Sequence, residues 1–172
     1  MFETIKSEID LFDRLPKRTS TIKNLTKLPD LDDKYLAYLT NYTSFKITPD
    51  IILHGYEEAL QENRTIGSDF PDIGSKLWLI GNSGQGDSWF LDRTSGMLLF
   101  FDHQQGEYQD SEQFTSLNIN FVQFLSMAFL YAELEELLDS KDLSENEIKA
   151  FKSTVNGIHP NLYQYYPFDY FK

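Results

Sequence analysis

"IGNSGQGDSWFLD", residues 80–92, holds Gly81, Gly84 and Gly86, and then Asp87. If these glycines cradle a phosphate, the chain is a nucleotide enzyme. If they turn the chain between two strands, it is a sheet protein. A P-loop ends in Gly-Lys-Ser/Thr, and its lysine neutralises phosphate charge. Here Gly86 is followed by Asp87 and Ser88, and a carboxylate in that place repels phosphate. A dinucleotide fingerprint runs G-x-G-x-x-G into a helix whose N-terminus faces the pyrophosphate. Here the order is G-x-x-G-x-G, and a strand-like run follows. The stretch therefore reads as a tight strand connection in which glycines supply positive φ.

The flanks agree. "LWLIG" (77–81), "SWFLD" (88–92) and "MLLFFD" (97–102) are short aromatic-rich runs, and "RTSG" joins the last two. Such runs between glycine-containing turns predict an antiparallel meander. They are apolar on both faces, so helices should cover much of the sheet.

Upstream, Phe2, Ile5, Ile9 and Phe12 repeat at helical spacing, and "PKRTSTIK" follows as a loop. "LPDLDDKYLAYLTNY" starts a helix after Pro29, with Asp30 as its expected cap and Leu31, Tyr35, Tyr38, Leu39 and Tyr42 on one face. Phe45 to Leu53 is strand-like and broken by Pro49, a short helix is expected at Tyr56–Glu62, and 66–75 reads as a loop. Downstream, residues 116–138 read as one long buried helix. Ser144 and Glu147 make a capping-box pattern, with Gly157 as the expected C-cap of that second helix. The aromatic tail, 159–172, is expected to fold back over the core, the alternative being a recognition edge made by Tyr163, Tyr165, Tyr166, Phe168, Tyr170 and Phe171. The expected fold is a single α+β domain with an antiparallel or mixed central sheet packed by helices.

Composition narrows the function classes. A chain of 172 residues supports one domain with its own core. Fifteen basic against 27 acidic residues give a net charge of −12. That surface repels phosphate backbones, which argues against direct nucleic-acid binding, and it suits fast association with a basic partner. There is no cysteine, so disulfides, thiolate zinc sites and thiol nucleophiles are excluded, as suits a reducing cytoplasm. The acid-bearing N-terminus does not read as a signal peptide. The most apolar segment, 121–134, is too short to span a bilayer and contains Gln123, Ser126 and Glu133. The sequons at Asn24, Asn41 and Asn63 matter only to a secreted chain.

Asp87, Asp92 and Asp102 fall at strand ends, and with His103 they offer the donor types of a divalent-metal site, and hence of a metal-dependent hydrolase. Aspartates at strand ends also serve as ordinary turn residues, and that reading is favoured. His54, His103 and His159 lie far apart in sequence, and no G-x-S-x-G elbow marks a nucleophile. No catalytic residue, metal ligand or cofactor is expected.

Four stretches carry a family likeness. They are "LPDLDDKYLAYL" (28–39), "LWLIGNSGQGDSWFLD" (77–92), "GMLLFFDHQQGE" (96–107) and "FVQFLSMAFLYAEL" (121–134). Their order resembles the SUKH superfamily, which includes the yeast cell-wall-assembly regulators and many bacterial immunity proteins. The likeness covers about residues 28–138. The helix after residue 144 and the tail lie outside it, and "TNYTSF" lacks the glycine that often ends the family's first helix.

The resemblance implies an α+β fold and a binding role without catalysis. It places Gly86, Asp87, Trp89, Asp92 and Asp102 at pattern positions of structural character. It implies a cytoplasmic immunity protein that neutralises a cognate bacterial toxin stoichiometrically, the toxin being a basic nuclease domain. On charge and loop position, the interface is expected on acidic loops and exposed aromatics near Asp69, Asp72, Asp87, Glu107, Asp110 and Glu112. The alternative within the same likeness is a regulatory or scaffold module with a non-toxin partner.

Overall fold

The glycine stretch is a hairpin. In the computed structural model, which describes residues 2–3 and 7–171, strands β3 (Leu77–Asn82) and β4 (Ser88–Asp92) pair antiparallel and meet at Asn82 and Ser88. The Ser83 N–H donates to the Asp87 carbonyl at 2.9 Å and closes the loop. Of the three glycines only Gly86 has a left-handed φ, +98°, so the expectation of positive φ throughout is corrected. Gly81 serves another need. A Cβ there would lie 2.3 Å from the Ile52 carbonyl oxygen, so a bare backbone is what lets β2 (Ile51–Leu53) come alongside.

The sheet extends outward in chain order. β1 (Phe45–Thr48) and β2 form a hairpin around Pro49, and β5 (Leu98–Phe101) and β6 (Thr115–Ser116) continue past β4. All five pairings of this six-stranded sheet are antiparallel, so the sheet is a pure meander and not a mixed one.

Side chains alternate across β3 and β4 as the strand pleat requires. Trp78, Ile80, Trp89 and Leu91 face one side, and Leu77, Leu79 and Phe90 face the other. The first side is covered by α5 (Phe121–Ser140), with the Trp89 and Phe124 rings 5.2 Å apart. α2 (Asp33–Asn41) packs on the same helix, since Tyr35 and Tyr38 both touch Phe121. α6 (Glu145–Ile158) adds Phe151 against Tyr131 at 5.1 Å. The second side is covered by α3 (Tyr56–Asp69), α4 (Pro71–Gly74) and Phe114.

The tail folds back. Tyr166, just beyond α7 (Leu162–Tyr165), stacks on Tyr131 with centroids 3.7 Å apart, and Phe168 reaches both Trp89 and Phe100. Tyr170 bonds to Asp50 at 3.1 Å and to Glu135.

Several boundaries depart from expectation. α1 is Glu8–Asp13, capped by Ser7, and its buried residue is Leu11, while Ile9 is 74% exposed. Phe2 packs on Phe151 apart from that helix, and Ile5 lies outside the described residues. α2 is capped by Asp32 in place of Asp30, with two backbone N–H donors at 3.0 Å. Residues 66–75 are not a loop: α3 runs on to Asp69 and α4 follows. Gly67 and Gly74 permit this, because a Cβ on Gly74 would stand 2.7 Å from the Gly67 Cα. Residues 116–120 are not helical. Asn118 takes a left-handed φ of 57°, and Asn120 then caps α5 through a capping box with Gln123. Gly157 lies inside α6, which ends at Ile158 with His159 as its C-cap.

Candidate functional site

Asp87 and His103 come together at the loop end of the central hairpin. The Asp87 side chain is 5% exposed. Its Oδ2 accepts from the Ser83 hydroxyl at 2.9 Å, and its Oδ1 lies 2.6 Å from His103 Nδ1 and accepts the His103 backbone N–H at 3.1 Å. Asp102 Oδ1 stands 3.9 Å from the same ring nitrogen and caps the 3₁₀ turn His103–Gln105. Asp87, Asp102 and His103 thus offer ligand atoms within 4.8 Å of one another. Both Asp87 oxygens are already engaged, and His103 turns Nδ1 inward to one of them. An ion would have to displace these bonds, so the arrangement works chemically as a brace. Asp92 is not with them. It lies at the far end of β4 and accepts the Thr94 and Ser95 N–H groups at 2.8 Å.

The pattern positions have local duties. Gly86 turns the hairpin, Asp92 and Asp102 cap turns, and Trp89 is buried with its Nε1 donating to the Asp50 carbonyl at 2.8 Å.

The acidic positions divide. Asp87 is withdrawn from the expected docking face, because its carboxylate is spent inside the hairpin brace. Asp69, Asp72, Glu107, Asp110 and Glu112 are exposed. They sit on two segments that meet: Phe70 at the end of α3 contacts Tyr108 edge-on at 5.2 Å. The loop carrying Tyr108 is braced by Gln113. Its Oε1 accepts the Gln109 N–H at 2.7 Å, and its amide donates to the Glu107 carbonyl at 3.2 Å. Tyr108 packs on Phe90 and Phe101, which anchors the loop to the sheet.

α3 is anchored too. β2 pairs with β3 only at Gly81 and Asn82, so Leu79 has no ladder partners on that edge. Asn63 supplies them, accepting the Leu79 N–H at 2.7 Å and donating to its carbonyl at 2.8 Å. Asn63 is therefore a buried clamp, and the sequon pattern around it is incidental.

Between α3 and the Tyr108 loop lies a groove of about 340 Å³, lined among others by His54, Glu62, Phe70, Asn82 and Tyr108. Sequence reading did not single these residues out as a site. The signal available was small: Phe70 and Tyr108 are each an aromatic set directly after an acid, in "SDFPD" and "GEYQD". No helix among the described residues is long and apolar enough to cross a membrane. No protein-family model, curated protein or solved structure matches the chain.

Proposed function

We propose that this chain is an immunity protein that binds a basic protein toxin, a nuclease domain, and inhibits it stoichiometrically in the cytoplasm. The observation that carries the reading is the meeting of two acidic segments at the Phe70–Tyr108 contact. Asp69 and Asp72 flank one ring, and Glu107, Asp110 and Glu112 accompany the other. A nuclease cleft is basic because it must hold a polyanion. A fixed acidic face steers encounter with such a cleft and raises the association rate. The motif likeness to the SUKH superfamily points to the same role, and inhibition by occlusion needs neither cofactor nor catalytic group.

The test is co-expression with the product of the adjacent upstream gene, scoring complex formation and rescue of growth together. A tight complex that restores growth is the expected result. A non-toxic neighbour, or a toxic one that is neither bound nor neutralised, overturns the reading in favour of a regulatory module with another partner.

A further inference from the structure

The groove between α3 and the Tyr108 loop has a composition that selects one kind of guest. Its base is apolar, with Ile66 and Leu79 buried. Phe70 and Tyr108 stand over it, and Glu62 and Thr65 are exposed on the helix beside it. No lysine or arginine lines it. The Glu62 carboxylate has no lysine, arginine or histidine paired with it among the described residues. A second feature points to a ligand independently. The His54 side chain also lines the groove, is 7% exposed, and keeps its Nδ1 buried without a hydrogen-bond partner among the described residues. Native proteins rarely leave such an atom unsatisfied, and each case asks for a reason. Burial holds the imidazole below its ordinary pKa, against the pull of Glu58 and Glu62, so the ring is neutral at pH 7 and does not repel a cation.

We propose that this groove receives an arginine side chain from the protein partner. It rests on the acidic-face reading for the partner, and on the groove's own atoms for the side chain. A guanidinium is planar, always charged and rich in donors, so it can meet the Glu62 carboxylate while its face lies against an aromatic ring. Its remaining N–H groups find acceptors in the Asn82 side-chain carbonyl and the Ser88 hydroxyl, and in His54 Nδ1 once that ring turns to bring the buried nitrogen to the groove. The volume lies at the small end of ligand sites, which run from about 300 to 1,000 Å³, and suits one side chain better than a cofactor. An anion would face Glu62 directly.

The experiment is a titration of the ¹⁵N-labelled chain with N-acetyl-arginine amide, and in parallel with the uncharged N-acetyl-citrulline amide. The expected result is saturable shifts confined to the amides of Glu62, Thr65, Asn82, Ser88 and Tyr108. Affinity should fall by at least about fivefold for the citrulline compound, and by as much in Glu62→Gln. Non-saturating shifts spread over all carboxylates, or equal binding of both compounds, would overturn the proposal without recourse to any variant. Arginine binding in a chain that fails the co-expression test keeps the groove and removes the immunity role. Rescue of growth without arginine binding does the reverse.

Discussion

His103 holds Asp87 at two points, through its ring Nδ1 at 2.6 Å and its backbone N–H at 3.1 Å, both on Oδ1. The contact joins the hairpin loop to the turn that follows β5, and so sets where the Tyr108 loop begins.

That brace should show in pH dependence. Burial pushes the Asp87 carboxyl up, but the bonds from His103 and Ser83 outweigh it and leave it below its ordinary value. The bond to Asp87 lifts the His103 imidazole above its own. The Asp87 share of stability is complete above the unfolded carboxyl value of about 3.9 and is lost as pH falls through the lower folded value. The His103 share is complete below the unfolded imidazole value of about 6.5 and is lost as pH rises through the higher folded value. The Tm gap between the native chain and His103→Gln should be widest from about pH 4 to pH 6.5 and narrow above neutrality. A gap that stays constant across that range would remove the ion pair from the account.

Two buried tyrosines should respond oppositely to loss of the hydroxyl. Trp78 Nε1 donates to the Tyr35 hydroxyl at 3.0 Å inside the core. Tyr35→Phe strands the indole N–H and should cost about 1–3 kcal/mol in denaturant unfolding. The Tyr166 hydroxyl is buried with no partner among the described residues. Tyr166→Phe removes a desolvated group and should stabilise by about 1 kcal/mol. Equal effects would mean that the hydroxyls are not distinguished by their bonding.

Two glycines make a similar pair. Gly81→Ala drives a Cβ against the Ile52 carbonyl and should cost about 3 kcal/mol, with the β2–β3 pairing lost first in amide exchange. Gly157→Ala places its methyl in open space within α6 and should stabilise by about 0.5–1 kcal/mol. Destabilisation at Gly157 would instead restore it as a left-handed helix terminus.

The acidic face predicts kinetics. Replacing Asp69, Asp72, Glu107, Asp110 and Glu112 together by lysine should slow association with a basic toxin by about tenfold or more at low salt and flatten its salt dependence. Surface plasmon resonance across ionic strengths measures both. Unchanged rates would dissociate the charge from recognition.

The central sheet was legible because its residues obey local rules. Trp89 and Phe90 alternate faces, Gly86 turns the chain, and Pro49 breaks a strand where a hairpin bends. What escaped depended on distant partners. β6 is two residues long and has no pattern of its own, since Leu99 and Phe100 across the sheet decide it. Gly67 looks like a helix breaker until Gly74 packs against its Cα. Asp87 reads as a surface charge from its neighbours in sequence, and only His103, sixteen positions on, shows it to be internal. The groove was invisible for the same reason: Glu62, Asn82 and Tyr108 belong to three elements, and no periodicity relates them.

The tail has a consequence for how the chain is made. Every strand pairs with the next in order, so the sheet can assemble as it emerges from the ribosome. Its aromatic face cannot be sealed then, because Tyr166 and Phe168 are synthesised long after the Trp89 they cover. At about 5–20 residues per second, a nascent chain carries that surface bare for several seconds. Translation pauses within α5 or α6 would prolong the interval, and holdase chaperones would meet this protein at Trp89.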